Sequence, residues 1–309
     1  MRRTLFAFLA LTAPALAAPE PNSPEACRIQ QMGTLPVRFS GNQPLVDIGI
    51  NGGTVTLLLD TGAQSTVLTE AATQRLGLPA DPTRSSTMRG VGGSATHANA
   101  MITKLQVGGV NFGAVSIGVA TFGRATSGYD GLLGADLLGV FDVDLDLAHN
   151  AVTLYRGRNC TGGTPAWNEP IAVKTDISRG PGAGMLYIPV ELDGRAVMAI
   201  IDTGADTGSD FAAVTARTAQ ASGTTAETLS GTARSVVWGV GPDTASQRRH
   251  RFQSVVIGLE SIPRPTLSVA DMPAHVPDML IGVGYARNHR LWVSYASRRM
   301  FVGYRTGTY

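Results

Sequence analysis

Two aspartates carry the chemistry that this sequence could do. Asp60 ends the apolar run Leu57-Leu58-Leu59 and opens Asp60-Thr61-Gly62-Ala63; Asp202 ends Ala199-Ile200-Ile201 and opens Asp202-Thr203-Gly204-Ala205. They lie 142 positions apart (202 − 60), each delivered by a β-type run into a Thr-Gly turn. Two carboxyls held about 3 Å apart cannot both ionise cheaply, so they share one proton and titrate as a pair. Such a pair is acid and base together: one carboxylate takes a proton from water while the carboxylic acid donates to a carbonyl oxygen. Thr61 and Thr203 are expected to hydrogen-bond across the pair, and Gly62 and Gly204 to leave room for coplanar carboxyls.

The surroundings repeat as well. Asn51-Gly52 stands nine and eight residues before Asp60, and Asp193-Gly194 stands nine and eight before Asp202, each a two-residue turn signal between apolar runs. Gly134 closes Leu132-Leu133-Gly134, 74 residues after Asp60, and Gly282 closes Leu280-Ile281-Gly282, 80 after Asp202. A glycine-rich turn lies between these landmarks in each half: Arg89-Gly90-Val91-Gly92-Gly93 and Trp238-Gly239-Val240-Gly241. The first contains a GxGG pattern, but no helix start follows it, so a mobile hairpin is expected rather than a phosphate loop. The chain therefore reads as an internal duplication, two similar lobes in one polypeptide.

Paired Asp-Thr-Gly triplets, each followed by a glycine-rich hairpin and an apolar-apolar-Gly strand, resemble the aspartic peptidases, over roughly residues 37–304. The alanine after each triplet and the run Asp202-Thr203-Gly204-Ala205-Asp206-Thr207 look most like retropepsins, whereas the single-chain duplication looks like pepsin. The resemblance implies an all-β fold of two lobes related by pseudo-twofold symmetry, with the active-site cleft between them. It implies Asp60 and Asp202 as the catalytic dyad, both glycine turns as flaps closing on a peptide, and both apolar-Gly strands threading beside the catalytic loops. Its substrate would be an extended polypeptide held by main-chain hydrogen bonds, with apolar pockets setting preference.

Length and composition agree. At 309 residues there is room for two ordinary domains, and 37 glycines with few long helical periodicities favour an all-β class. Met1-Arg2-Arg3, the apolar run to Leu16 and the Ala15-Leu16-Ala17 pattern read as an export signal over residues 1–18, so a periplasmic or secreted protein is expected. The apolar run is too short to span a bilayer. Without Arg2 and Arg3 the balance is 23 basic (25 − 2) to 23 acidic, which offers no electrostatic case for nucleic acid or an anionic membrane. The two cysteines, Cys27 and Cys160, are expected to pair in an oxidising compartment, at roughly 4 to 5 kcal/mol of stabilisation, with two free buried thiols as the alternative.

The expected organisation is an extended leader over 19–36, a first lobe over 37–157, a linker over 158–184 and a second lobe over 185–309, in a monomer. Short helices are expected after Thr69 and over Phe211–Gln220. Asp142, Asp144 and Asp146 alternate along one strand, where one solvated face explains them better than calcium does. Arg248-Arg249-His250-Arg251 reads as a solvated hairpin arm, and the histidines at 97, 149, 250, 275 and 289 read as surface or turn residues without metal spacing. No metal or cofactor is expected. The competing reading is a silent peptide-binding module that keeps the same fold; two mutually repelling carboxylates are of no use to a binder.

Overall fold

The computed structural model describes residues 28–122, 128–158, 160, 162–167, 170–173, 184–208, 210–230, 234–241 and 243–304. The expected signal, leader residues 19–27 with Cys27, and much of the expected linker lie outside them. Both lobes are built the same way. Gln43–Ile50 pairs with Gly53–Leu59 across a turn whose two central residues, Asn51 (φ 51°) and Gly52 (φ 87°), are left-handed; Tyr187–Leu192 pairs with Arg195–Ile201 across Asp193 (φ 51°) and Gly194 (φ 76°). Only such a turn matches the twist of the strands it joins, which is why Asn-Gly and Asp-Gly stand there. The turn side chains also hold the next part of the lobe. Asn51 Oδ1 accepts from Lys104 N (2.9 Å), and Asp193 Oδ1 from Ser254 N (2.9 Å).

In the first lobe Thr69 caps the expected helix Glu70–Arg75, its hydroxyl accepting from Ala72 N at 3.1 Å. The second lobe corrects the helix expected over Phe211–Gln220. Ala212–Thr215 is a strand, parallel to Thr266–Ala270 and antiparallel to Met279–Ile281, and only Ala216–Ala221 is helical, capped by Thr215. Alanine favours a helix locally, but these alanines fill the place that Val67–Thr69 fills in the first lobe, and burial between two strands overrides propensity.

A third sheet joins the lobes, in the order Arg28–Pro36, Ala151–Arg158, Asp142–Asp146, His289–Ser294, Arg299–Tyr304, Ile171–Val173. Its centre pairs one lobe with the other, Val143 opposite Val293 and Leu145 opposite Leu291. The two edges of this sheet come from segments expected as leader and linker. Residues 28–36 of the expected leader form an edge strand paired with Ala151–Arg158, and Ile171–Val173 of the expected linker forms the opposite edge. The first segment is mostly exposed and rich in polar residues, and the second is only three residues long, so neither carries a strong strand signal of its own.

The aspartates of Asp142–Asp146 do not line a wet face either: Asp142 and Asp144 are each 2% exposed. Arg290 grips Asp144 with two bonds (2.9 and 2.6 Å), Trp167 lies under the guanidinium, and Gly163 N donates to Asp142 (2.7 Å). A buried carboxylate persists only where such partners replace water, and burial still pushes the Asp142 carboxyl above the usual range. Two more expected surface groups are engaged. Arg249 pairs with buried Asp210, and His289 is buried against Tyr285 and Glu260. No described helix is long and apolar enough to cross a membrane.

Candidate active site

Each triplet is delivered by the inner strand of its hairpin and clamped by a neighbour that threads beside it. Gly131–Leu133 runs parallel to Gly53–Leu59, Leu132 opposite Leu58, and Leu133 O accepts from Asp60 N at 3.0 Å. In the second lobe Met279–Ile281 runs parallel to Arg195–Ile201, Leu280 opposite Ile200, and Ile281 O accepts from Asp202 N at 2.8 Å. The glycines that end these segments are required by the close approach: a Cβ on Gly134 would lie 2.5 Å from Ser65 C, and one on Gly282 2.7 Å from Ala205 O.

The loops then fold back on their own aspartates. Asp60 Oδ1 accepts from Gly62 N (3.0 Å) and Ala63 N (2.9 Å); Asp202 Oδ1 accepts from Ala205 N (3.0 Å). The threonines cross between lobes as expected. Thr61 Oγ1 donates to Ile201 O (2.7 Å) and accepts from Thr203 N (3.1 Å), while Thr203 Oγ1 donates to Leu59 O (2.7 Å) and accepts from Thr61 N (3.1 Å). All four groups are buried, so each bond replaces one that water can no longer make. Thr61→Val keeps the shape but strands the Thr203 amide and the Ile201 carbonyl, and is expected to cost on the order of 3 kcal/mol in denaturant unfolding, with Thr61→Ser recovering most of it.

With the loops so registered, the carboxyls of Asp60 and Asp202 hydrogen-bond to one another. Burial pushes both above the ordinary carboxyl range. For Asp60 the charge of Asp202 and the bond to it push further, against the downward pull of the Ala63 and Gly62 amides, so Asp60 is raised well above its usual value. For Asp202 the bond from Asp60 and the Ala205 and Gly204 amides act downward. One proton thus belongs to the pair, which titrates as a unit. Burial, and secondarily the charge of Asp60, also push up the hydroxyl of Tyr295.

Both glycine-rich turns take part in one roof. Ala80–Gly90 and Gly93–Ile102 form a long hairpin with Val91-Gly92 at its tip, and Ser235–Val237 with Ala245–Arg251 forms its counterpart. The tips meet: Gly92 N donates to Val240 O (3.1 Å), Asp243 N to Gly92 O (2.8 Å), and Gly90 packs on Val240 so closely that a Cβ there would lie 2.7 Å from Val240 O. Gly93 turns the first tip at φ +100° and Gly239 lies against Val91. Arg89 and Trp238 are exposed, Trp238 at 47%.

Sequence reasoning missed the apolar side chains that connect each glycine-turn hairpin to its triplet loop. In the first lobe Leu45, Leu58, Val67, Ala120 and Leu132 form a cluster apart from the main core, met by Ala63, Met88, Phe122 and Val240. In the second, Tyr187, Ile200, Ala213, Ala270, Met272 and Leu280 do the same. The signal existed: Leu45 and Tyr187, like Leu58 and Ile200, stand at the same 142-residue offset as the aspartates (187 − 45; 200 − 58).

Residues 46–140 match the family described as "gag-polyprotein putative aspartyl protease", a span that runs from the first hairpin through the first triplet to the helix after Gly134. Among solved structures, the aspartic proteinase from Irpex lacteus superposes with a TM-score of 0.55 at 15% identity, covering 91% of this chain and 98% of that one. The fold is that of the aspartic proteinases. At that identity the likeness lies in the arrangement of strands; in this chain the two triplet loops meet where Thr61 and Thr203 exchange hydrogen bonds. No curated protein sequence matches the chain.

Proposed function

We propose that the chain is an exported aspartic endopeptidase that hydrolyses extended polypeptides with Asp60 and Asp202 as its dyad. The observation that carries the reading is the pair of carboxyls bonded to one another between mirrored turns, with one proton held above the ordinary carboxyl range. In the proposed reaction a water molecule between the carboxyls gives a proton to the ionised member of the pair as its oxygen attacks the peptide carbon, and the protonated member gives its proton to the carbonyl oxygen. The resulting diol collapses with proton transfer to the amide nitrogen; the C–N bond breaks and a proton returns to the pair. No other nucleophile enters.

The roof and the apolar clusters supply the binding side of the proposal. An extended peptide under the two tips would meet backbone N–H and C=O groups of Gly90–Gly93 and Gly239–Gly241, while side chains on either side of the scissile bond would rest on the two clusters. The first cluster is closed by Phe122 and Tyr129, while the second has Ala213, Ala270 and Ala205 among its walls. Cleavage sites mapped by mass spectrometry in an unstructured polypeptide between pH 3 and 7 are expected to carry apolar residues on both sides. No cleavage at any pH, or cleavage undiminished in Asp60→Asn and Asp202→Asn, would remove the proposal. Export rests on the signal-like residues 1–18, and an exported chain would pair Cys27 with Cys160.

A further inference from the structure

The two tips are held by more than each other. The last residues before the first cluster closes, Thr121 and Phe122, lie against the second-lobe tip: Thr121 O accepts from Gly241 N at 3.0 Å, and Phe122 bridges to Val240 and Gly241. What holds Thr121 is a histidine on the returning arm of the first hairpin. His97 Nε2 lies 2.8 Å from Thr121 Oγ1, and its Nδ1 lies 3.2 Å from Glu70 Oε1 at the start of the helix Glu70–Arg75. One partly buried ring (23% exposed) therefore ties three parts together: the arm of the first flap, the body of the first lobe, and the residue that holds the second flap.

We infer that His97 is a positioning residue for both flaps, acting through Thr121 on Gly241 of the other lobe. The kinetic half of this inference rests on the peptidase reading; the structural half does not. The imidazole suits the task because its two nitrogens face outward in opposite directions and both find partners. In the neutral form with hydrogen on Nδ1 it donates to Glu70 and accepts from the Thr121 hydroxyl; in the protonated form it donates to both. The pin therefore holds in either charge state. Glu70 is the charged group placed against the ring. Arg75, on the same helix, is turned to Asp130 at 2.8 Å, Asp81 of the outgoing arm is engaged by Thr83, and Ser86 stands opposite His97 across the hairpin. No side chain of ordinary aliphatic or aromatic type could replace both contacts.

Amide hydrogen exchange tests the inference without reference to catalysis. In His97→Phe, exchange at Gly241 N–H is expected to rise about five- to tenfold over the parent, corresponding to loss of one hydrogen bond's net contribution, while the Thr61 and Thr203 amides between the lobes stay protected. His97→Gln, which keeps a bond to Thr121, should fall between. In the kinetic arm KM for a peptide should rise by about the same factor in His97→Phe with kcat within about twofold, since the dyad is untouched and only the closed roof is weakened. Unchanged exchange at Gly241, or an equal rise at Thr61 and Thr203, overturns the inference. The expected exchange pattern in a protein that cleaves no peptide would leave the pin standing and sink the peptidase reading instead.

Discussion

Replacing Asp60 or Asp202 by asparagine is expected to abolish peptide cleavage and, at neutral pH, to raise the melting temperature. The two effects share one cause. In the parent, burial and mutual repulsion hold the shared proton above the ordinary carboxyl range. A carboxyl whose folded pKa is raised contributes stability that is fully present below its unfolded pKa and is lost as pH rises through the folded value. At pH 7 to 8 the folded parent must either keep a proton that the unfolded chain has released or hold two facing charges, and an amide at either position relieves both costs. The variant should melt a few degrees higher there, since about 1 kcal/mol moves the Tm of a domain of 150–250 residues by ~2–4 °C. The advantage should fade as pH falls through the raised range toward 4, where the parent's pair has regained its proton. Activity runs the other way. An amide supplies neither the base nor the transferable proton, and loss of both roles is worth on the order of 10⁴-fold in kcat. Differential scanning calorimetry across pH 3 to 8, beside a cleavage assay, checks both signs. A variant less stable than its parent at pH 8, or one retaining a tenth of its activity, would contradict the shared-proton geometry. The same linkage sets the parent's profile: activity should persist into mildly acidic conditions and decline as the raised pair ionises, so an optimum near pH 2 is not expected.

The site was legible in the sequence because it was written twice. Asp-Thr-Gly alone is an ordinary strand-end turn, but Asn51-Gly52 and Asp193-Gly194 at equal distances ahead of it, and Gly134 and Gly282 at similar distances behind, are local signals whose agreement fixes a lobe. Turns and strand ends are decided within a few residues, so they can be read within a few residues. What joins the lobes could not be read that way. Val143 pairs with Val293 across 150 positions (293 − 143), and neither strand carries a mark of its partner. Asp144 looks like a solvated strand residue until Arg290, 146 positions later, closes on it. Arg28–Pro36 looks like leader until Ala151–Arg158 completes its hydrogen bonds. Ala212 and Ala213 show the same limit inside one lobe, since a helix-favouring residue becomes strand when two neighbouring strands already stand beside it. His97 carries no motif at all; its partners Glu70 and Thr121 lie 27 (97 − 70) and 24 (121 − 97) residues away on different elements.

Gly62→Ala and Gly204→Ala separate the geometry of the dyad from its acidity, because both carboxyls remain. A methyl on Gly62 would lie 2.3 Å from Asp202 Cγ and 2.5 and 2.7 Å from its oxygens; a methyl on Gly204 would lie 2.4 Å from Asp60 Cγ and 2.6 and 2.7 Å from its oxygens. Carbon atoms in contact sit about 3.5 to 4.0 Å apart, so one carboxyl must retreat by roughly 1 Å or more. The loops cannot give instead, for Thr61 and Thr203 pin each to the other lobe with four bonds of 2.7 to 3.1 Å. Neither glycine has a positive φ, so the backbone itself tolerates alanine and the disturbance falls on the opposing aspartate. Displacing a catalytic group by about 1 Å costs on the order of 10²-fold in rate. Each variant is therefore expected to keep its far-UV circular dichroism and a Tm within several degrees of the parent, while kcat falls about a hundredfold. Separating the carboxyls also weakens their repulsion, so the basic limb of the pH-rate profile should move to lower pH. Parent-like kcat in both alanine variants, with the fold intact, would mean that the two acids do not work face to face.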